Sequence, residues 1–410
     1  MISFNEKLDR YAELAVKIGV NIQPNQFLYI STSIDNVELV RLITKKAYEA
    51  GAKQVFVDFA DDQINRLRYE LAPADSFDFY PHWKTEERNW LAEQGAAFIS
   101  IVSQSPDLLA GIESSRISAF QKATGKALSK YREYAQSDKI SWNVIAASSK
   151  DWAAKVFPEL PQDQQVEQLW DAIFKAVRVD VADPIQAWKT LDESLHDKVS
   201  YLNEKKYHKL HYRAPGTDLT IELPKNHLWC GGGSINVNGK EFMANMPTEE
   251  VFTAPYKTGV NGYVSSTKPL SYGGNIIDQF KITFENGRIV DVTAEQGEEV
   301  LKQLVATDEG SHYLGEVALV PHNSPISQSG LLFYNTLFDE NASNHLAIGS
   351  AYAFNIEGGK TMSREEIAEN GLNQSLTHVD FMIGSDKMDI DGITEDNNVE
   401  PLFRQGSWAF

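Results

Sequence analysis

The sequence predicts two domains of different class. An N-terminal α/β domain with an open, mostly parallel sheet is expected over residues 1–185, and an α+β C-terminal domain over residues 186–410. Three observations carry this. Helix and strand patterns alternate through the first half, and strand patterns with dense glycine dominate after about Pro184. The length, 410 residues, allows two or three domains at about 150 residues each.

The elements follow in order. Ser3-Phe4-Asn5-Glu6 has the form of a capping box, and Phe4, Leu8, Tyr11, Leu14 and Ile18 then recur at helical spacing up to Gly19. Phe27–Ser31 reads as a buried strand, Val37–Ala50 as an amphipathic helix stopped by Gly51, and Val55–Phe59 as the next strand, which is a βαβ unit. Ala97–Val102 and Trp142–Ala147 read as further buried strands, each preceded by a charge-rich helical segment. Leu331–Phe338 is also apolar enough to read as a buried strand. In the second half, strands are expected at His208–Arg213, Asp218–Glu222, Gln279–Phe284 and Arg288–Thr293, the last two joined by the hairpin signal Asn286-Gly287. Helices are expected at Gly297–Ala306 and Ser363–Asn370.

Composition narrows the function. Lys plus Arg number 38 against 57 Asp plus Glu, a formal charge of −19, which argues against nucleic acid or an anionic membrane as the main partner. No run of 18 apolar residues exists, and charges interrupt the first 20 residues where a targeting signal would need an apolar core. With one cysteine, Cys230, there is no intrachain disulfide and no Cys-rich metal site, and a cytoplasmic location is expected. The glycine motifs of dinucleotide and P-loop sites and the Gly-x-Ser-x-Gly of serine hydrolases are absent. Gly231-Gly232-Gly233 before Ser234 reads as an anion cradle or as a tightly turned loop.

The informative region is Asn245–Asp380, which holds Glu249-Glu250, Glu316, Asp339-Glu340, His345 and His378-x-Asp380. His378 and Asp380 are two apart, so on a strand they share a face, as metal ligands or as a surface hydrogen-bonded pair. Glu316 interrupts the apolar run Leu314–Leu319, where a buried carboxylate needs a compensating charge. Four or more carboxylates with two histidines suit a two-metal hydrolytic site better than a structural zinc.

The stretch from Asn245 to Pro255 (Asn-Met-Pro-Thr-Glu-Glu-Val-Phe-Thr-Ala-Pro) resembles a signature of the M29 metallo-aminopeptidases, the aminopeptidase T and aminopeptidase S group, and within it the streptococcal type. The blocks Gly315–Val320, Phe338–His345 and His378–Gly384 agree in order and spacing, and the resemblance runs the length of the chain. It implies Glu250, Glu316, His345, His378 and Asp380 as metal ligands, with Glu316 bridging, and Glu340 as a further acidic ligand position. From the residues alone Glu340 could instead cap a helix, and Tyr352, which the resemblance puts at the metal centre, would be a core aromatic. Glu249 is a candidate general base or a residue facing away from the site.

The activity implied is metal-assisted hydrolysis of the N-terminal peptide bond of short peptides with a free N-terminus. Two divalent ions would serve it, Zn²⁺ or Co²⁺, with Mg²⁺ and Mn²⁺ as further candidates. A homodimer is implied as well. Two other readings stay open. One is a two-metal phosphoesterase, weakened by the lack of Arg between Glu250 and Gly287. The other is a non-catalytic peptide- or metal-binding protein.

Overall fold

The structure is a computed structural model and describes residues 2–410. Ser3 caps the first helix, Phe4–Leu14, by accepting the Glu6 N–H at 3.3 Å. The Glu6 carboxylate pairs instead with Arg10 at 2.9 Å, so only half of the expected capping box forms. A π-helical turn, Ala15–Gly19, continues the helix to the expected stop. Gly19 is needed there for room, since a Cβ would lie 2.6 Å from Asn143 Oδ1. The helix Val37–Glu49 ends at Gly51, whose φ of +93° suits glycine.

The strands β1 (Phe27–Ser33), β2 (Gln54–Ala60), β3 (Ala97–Val102) and β4 (Trp142–Ala146) form one sheet in the order β2-β1-β3-β4. All three pairings are parallel, so helical crossovers are required and the strand interiors are buried, as at Leu28, Ile30, Ile99 and Ile145. This unit runs to Asp192 and also includes Gly233–Thr248. The returning segment is held by Val144 N–H to Ala244 O and Asn143 Nδ2 to Met243 O, both 2.7 Å.

The second unit comprises Glu193–Gly232 and Glu249–Phe410. Its larger sheet is a nine-stranded antiparallel array. Within it Asn275–Glu285 turns into Arg288–Gln296 through Asn286 (φ +49°) and Gly287 (φ +80°), the two left-handed residues that a type I′ turn requires. The expected helices are present as Glu298–Val305 and Arg364–Glu369, the latter with a complete capping box between Ser363 and Glu366. Both units together give the α/β plus α+β composition that the pattern predicts.

One expectation is corrected. Leu331–Phe338 is not a strand: residues 331–335 are irregular and Thr336–Asp339 is a short helix. Asn335 Oδ1 caps it by accepting the Leu337 N–H at 3.2 Å, and the Asp339 carboxylate accepts the Phe333 and Asn335 N–H groups at 2.9 and 3.0 Å. Those donors are satisfied locally rather than by a sheet partner. The apolar pattern reflects Phe333 stacked on Phe338 at 4.6 Å.

Asp391 shows how the larger sheet is held. It is 3% exposed, on the strand Asp389–Ile393, and its two oxygens meet Arg213 and Arg404 from the strands on either side. Asp391→Asn is expected to cost about 2 kcal/mol, below the usual penalty for breaking a buried pair because both arginines are half exposed. Urea unfolding with an unchanged midpoint would contradict this.

Candidate metal centre

The site is built on a second, five-stranded sheet, in the order His378–Met382, His345–Gly349, Leu314–Leu319, Val251–Thr253, Cys230–Gly231, with every pairing antiparallel. Residues directly opposite in such pairs point to the same face. Glu316 faces Ala347, and Ala347 faces Asp380. His345 faces Ala318, and His378 faces Gly349. Each polar side chain therefore stands beside an alanine or glycine, which leaves room above the sheet for long side chains to converge. Gly315 closes the strand start, where a Cβ would lie 2.4 Å from Ser350 O.

Two groups of three ligand-type side chains result, each with its donor atoms within 4.8 Å of one another: Glu250, Glu316, His345 and Glu316, His378, Asp380. Glu316 belongs to both. Its Oε1 lies 3.5 Å from His345 Nε2 and its Oε2 lies 3.4 Å from His378 Nε2. Glu250 Oε2 is 3.0 Å from His345 Nε2, and Asp380 Oδ1 is 3.4 Å from His378 Nε2. Both carboxylate oxygens are buried and accept no well-formed hydrogen bond. The opposite ring nitrogens are committed: His345 Nδ1–H donates to Ser343 O at 3.1 Å and His378 Nδ1–H to Ser350 O at 2.7 Å. A carbonyl only accepts, so both Nε2 atoms present lone pairs to the carboxylates when the rings are neutral.

Buried orphan oxygens, two Nε2 atoms aimed inward and a carboxylate shared between the groups are what a pair of divalent cations requires. The residues fit metal ions. Without them the electrostatics are strained. Burial pushes the Glu250 carboxyl above its usual range, and burial with the Glu250 and Asp380 charges pushes Glu340 well above it. Burial alone would lower both histidines. The Glu250 and Glu316 carboxylates outweigh it at His345, and Tyr352 with Asp380 outweighs it at His378, leaving both imidazoles well above their usual range. Burial would raise Asp380, but the His378 charge outweighs it and holds Asp380 low.

These shifts predict a pH dependence. A group with a raised folded-state pKa stabilises the fold below its unfolded pKa, and that contribution is lost as pH rises through the folded value. Glu250, Glu340, His345 and His378 all act in this sense, whereas Asp380 loses its contribution only in acid, as pH falls through a value below 3.8. Metal-free protein is therefore expected to melt at a lower temperature at pH 9 than at pH 6. Added Zn²⁺ should remove the difference by replacing the protons. Calorimetry in EDTA at the two pH values checks this, and a higher melting temperature at pH 9 would contradict it.

The remaining expected residues fall as follows. Glu340 is 8% exposed on the turn Glu340–Ala342, close enough to the acidic groups to feel their charge but outside both groups of three. The capping role falls to Asn335, not to Glu340. Tyr352 lies against His378, ring centroids 4.8 Å apart, and stacks on Phe354. The His378 charge would lower its hydroxyl pKa, but burial and the surrounding carboxylates raise it, so it stays protonated. Glu249 is buried, 7% exposed, and joins neither group. The Gly231–Gly233 run is the end of the strand Cys230–Gly231 followed by a bend at Gly232, φ +73°, rather than an anion cradle. Gly231 has Glu250 O only 2.7 Å from where a Cβ would be, and the Gly233 N–H already donates to the Asp192 carboxylate at 2.6 Å. The carbonyls of Ser343 and Ser350, and the small residues Ala347 and Gly349, are contributions that sequence reasoning missed, because any residue type supplies a carbonyl and small residues carry no chemical signal.

Comparison with known proteins bears on this arrangement. The family model described as thermophilic metalloprotease (M29) matches residues 4–408. Aminopeptidase AmpS of Bacillus subtilis is 64% identical over 410 residues, covering all of both chains. Aminopeptidase PepS of Streptococcus thermophilus is 50% identical over 408 residues, covering 99% of each. The structure of wild-type AmpT from Thermus thermophilus superposes with a TM-score of 0.93 at 41% identity and full coverage of both chains. A match spanning nearly every residue, over a fold with the two carboxylate–histidine groups in place, means that the chain belongs to the M29 family of metalloproteases.

Proposed function

We propose that the protein is a metal-dependent aminopeptidase that removes N-terminal residues from short peptides at a two-ion centre in its C-terminal part, residues 186–410. The observation that carries this is Glu316, which offers one carboxylate oxygen to each histidine group and so suits a bridging ligand. Glu250 and His345 would complete one ion's ligands, His378 and Asp380 the other's, with Glu340 as a further acidic ligand. Zn²⁺ or Co²⁺ suits a carboxylate–imidazole set better than the harder Mg²⁺ or Mn²⁺. When bound, the ions supply Lewis acidity that makes water a nucleophile near neutral pH and polarises the scissile carbonyl.

The chain's own residues supply the rest. Ser343 O and Ser350 O hold the imidazoles in the tautomer with Nε2 free. The Tyr352 hydroxyl, protonated and beside His378, donates to the oxyanion that develops on the peptide carbonyl. Glu249 is the candidate base that takes a proton from water and returns it to the leaving amine. The acidic groups around Glu340 attract the substrate's free α-amine, which sets the cleavage point one residue from the end. Family membership supports a homodimer, and the charge and cysteine content support a cytoplasmic location. Light scattering at twice the 45.9-kDa chain mass is the expected result for the dimer.

The experiment is chelation. Dialysis against EDTA should abolish hydrolysis of aminoacyl-nitroanilides, and Zn²⁺ or Co²⁺ should restore it. Full activity in protein shown by mass spectrometry to be metal-free would overturn the reading. Turnover of p-nitrophenyl phosphate in place of the nitroanilide would favour a phosphoesterase.

A further inference from the structure

We propose that Asn341 is a positioning residue for the Glu250 half of the centre, an inference that rests on the two-ion reading above. Val251–Thr253 is the short strand that follows Glu250, so Glu249 and Glu250 precede the first residue of the sheet ladder. The ladder fixes Glu316, His345, His378 and Asp380 by register, but it does not reach this segment. A buried N–H there needs its own acceptor. The Glu249 N–H donates to Asn341 Oδ1 at 2.7 Å.

The same side chain is anchored at its other end. Asn341 Nδ2 donates to Leu337 O at 2.9 Å and lies 3.4 Å from Glu340 Oε1. Its backbone carbonyl accepts the Ser324 hydroxyl at 3.1 Å. Asn341 is fully buried. One amide thus ties the segment carrying Glu250 to the turn carrying Glu340, and does so only because asparagine is donor and acceptor at once. The His378–Asp380 half is held differently, on a strand paired along its length with His345–Gly349. Loss of Asn341 should therefore be felt on one side of the centre and not on the other.

The test is Zn²⁺ titration by calorimetry of the metal-stripped full-length protein, with metal content by mass spectrometry. Asn341→Ala should weaken one of the two binding steps by about 10–100-fold and leave the other within about threefold. The affected step should be the one that Glu250→Gln also weakens, and the double variant should lose little more than Glu250→Gln alone, because both changes act through one carboxylate. Asn341→Asp keeps the acceptor for the Glu249 N–H but loses the donor to Leu337 O and sets a carboxylate beside Glu340 Oε1, so it should weaken the same step rather than restore it. Equal binding of two ions by Asn341→Ala and wild type overturns the positioning role alone. So does equal weakening of both steps. If Asn341→Ala does not fold, Asn341→Asp decides: both binding steps at wild-type strength in that variant overturn the proposal. Fewer than two ions bound by wild type removes the two-ion reading itself, and this inference with it.

Discussion

Glu316→Gln should lose both ions and lower kcat/KM by on the order of 10³-fold or more, equivalent to about 4 kcal/mol of transition-state stabilisation. Gln has nearly the same volume, so packing in the fully buried strand Leu314–Leu319 is preserved. What it removes is the charge whose oxygens face His345 and His378 from one side chain. A neutral amide can present one oxygen, not two, and its NH₂ would point at an imidazole Nε2 that should hold a cation. Circular dichroism and the melting temperature in EDTA should stay near wild type, which separates lost metal from lost fold. Two retained ions with near-normal kcat would show that Glu316 does not bridge.

The second large effect lies on the substrate. A pentapeptide with a free N-terminus should be cut one residue at a time, whereas its N-acetylated twin should be inert, a difference on the order of 10³-fold or more. The reason is that a free α-amine carries a positive charge, or a lone pair, that the acidic site can hold, and the acetylated nitrogen has neither. Glu340 is buried beside the two groups of three and belongs to neither, which leaves acidic charge there for a substrate ammonium. Acetylation removes the charge and adds a methyl group that the site must accommodate. Chromatography of timed digests reads the outcome directly. Cleavage of the acetylated peptide at an internal bond would remove the amine anchor and make the protein an endopeptidase.

Much of the fold was legible because its signals are local. The βαβ unit from Phe27 to Phe59, the Asn286-Gly287 turn and the helix after Ser363 are each specified by residues a few positions apart, through side-chain period, turn conformation and capping. Where a local signal was ambiguous, a competing short-range hydrogen bond decided. Leu331–Phe338 has strand-like hydrophobicity, but Asn335 and Asp339 satisfy its backbone donors in a loop and short helix. Ser3 and Glu6 have the spacing of a capping box, but Arg10 takes the carboxylate. The excursion of Gly233–Thr248 into the first unit has no local signature, because its partners Asn143 and Val144 lie about a hundred residues earlier.

The site divides in the same way. The sequence alone pointed to a metal site, since its acids, histidines and single cysteine suit one and the resemblance to the M29 family singled out the ligand positions, and the spacing of His378 and Asp380 puts them on one strand face. Only the tertiary structure decided which residues meet. Glu250 and Glu316 are 66 positions apart, and Glu316 and His378 are 62 apart. They converge because four strands, His378–Met382, His345–Gly349, Leu314–Leu319 and Val251–Thr253, are neighbours in that order and register, with Ala347 and Gly349 leaving space between the side chains. Strand order is a property of the whole packed sheet, set by which buried faces fit together, and no window of local sequence contains it.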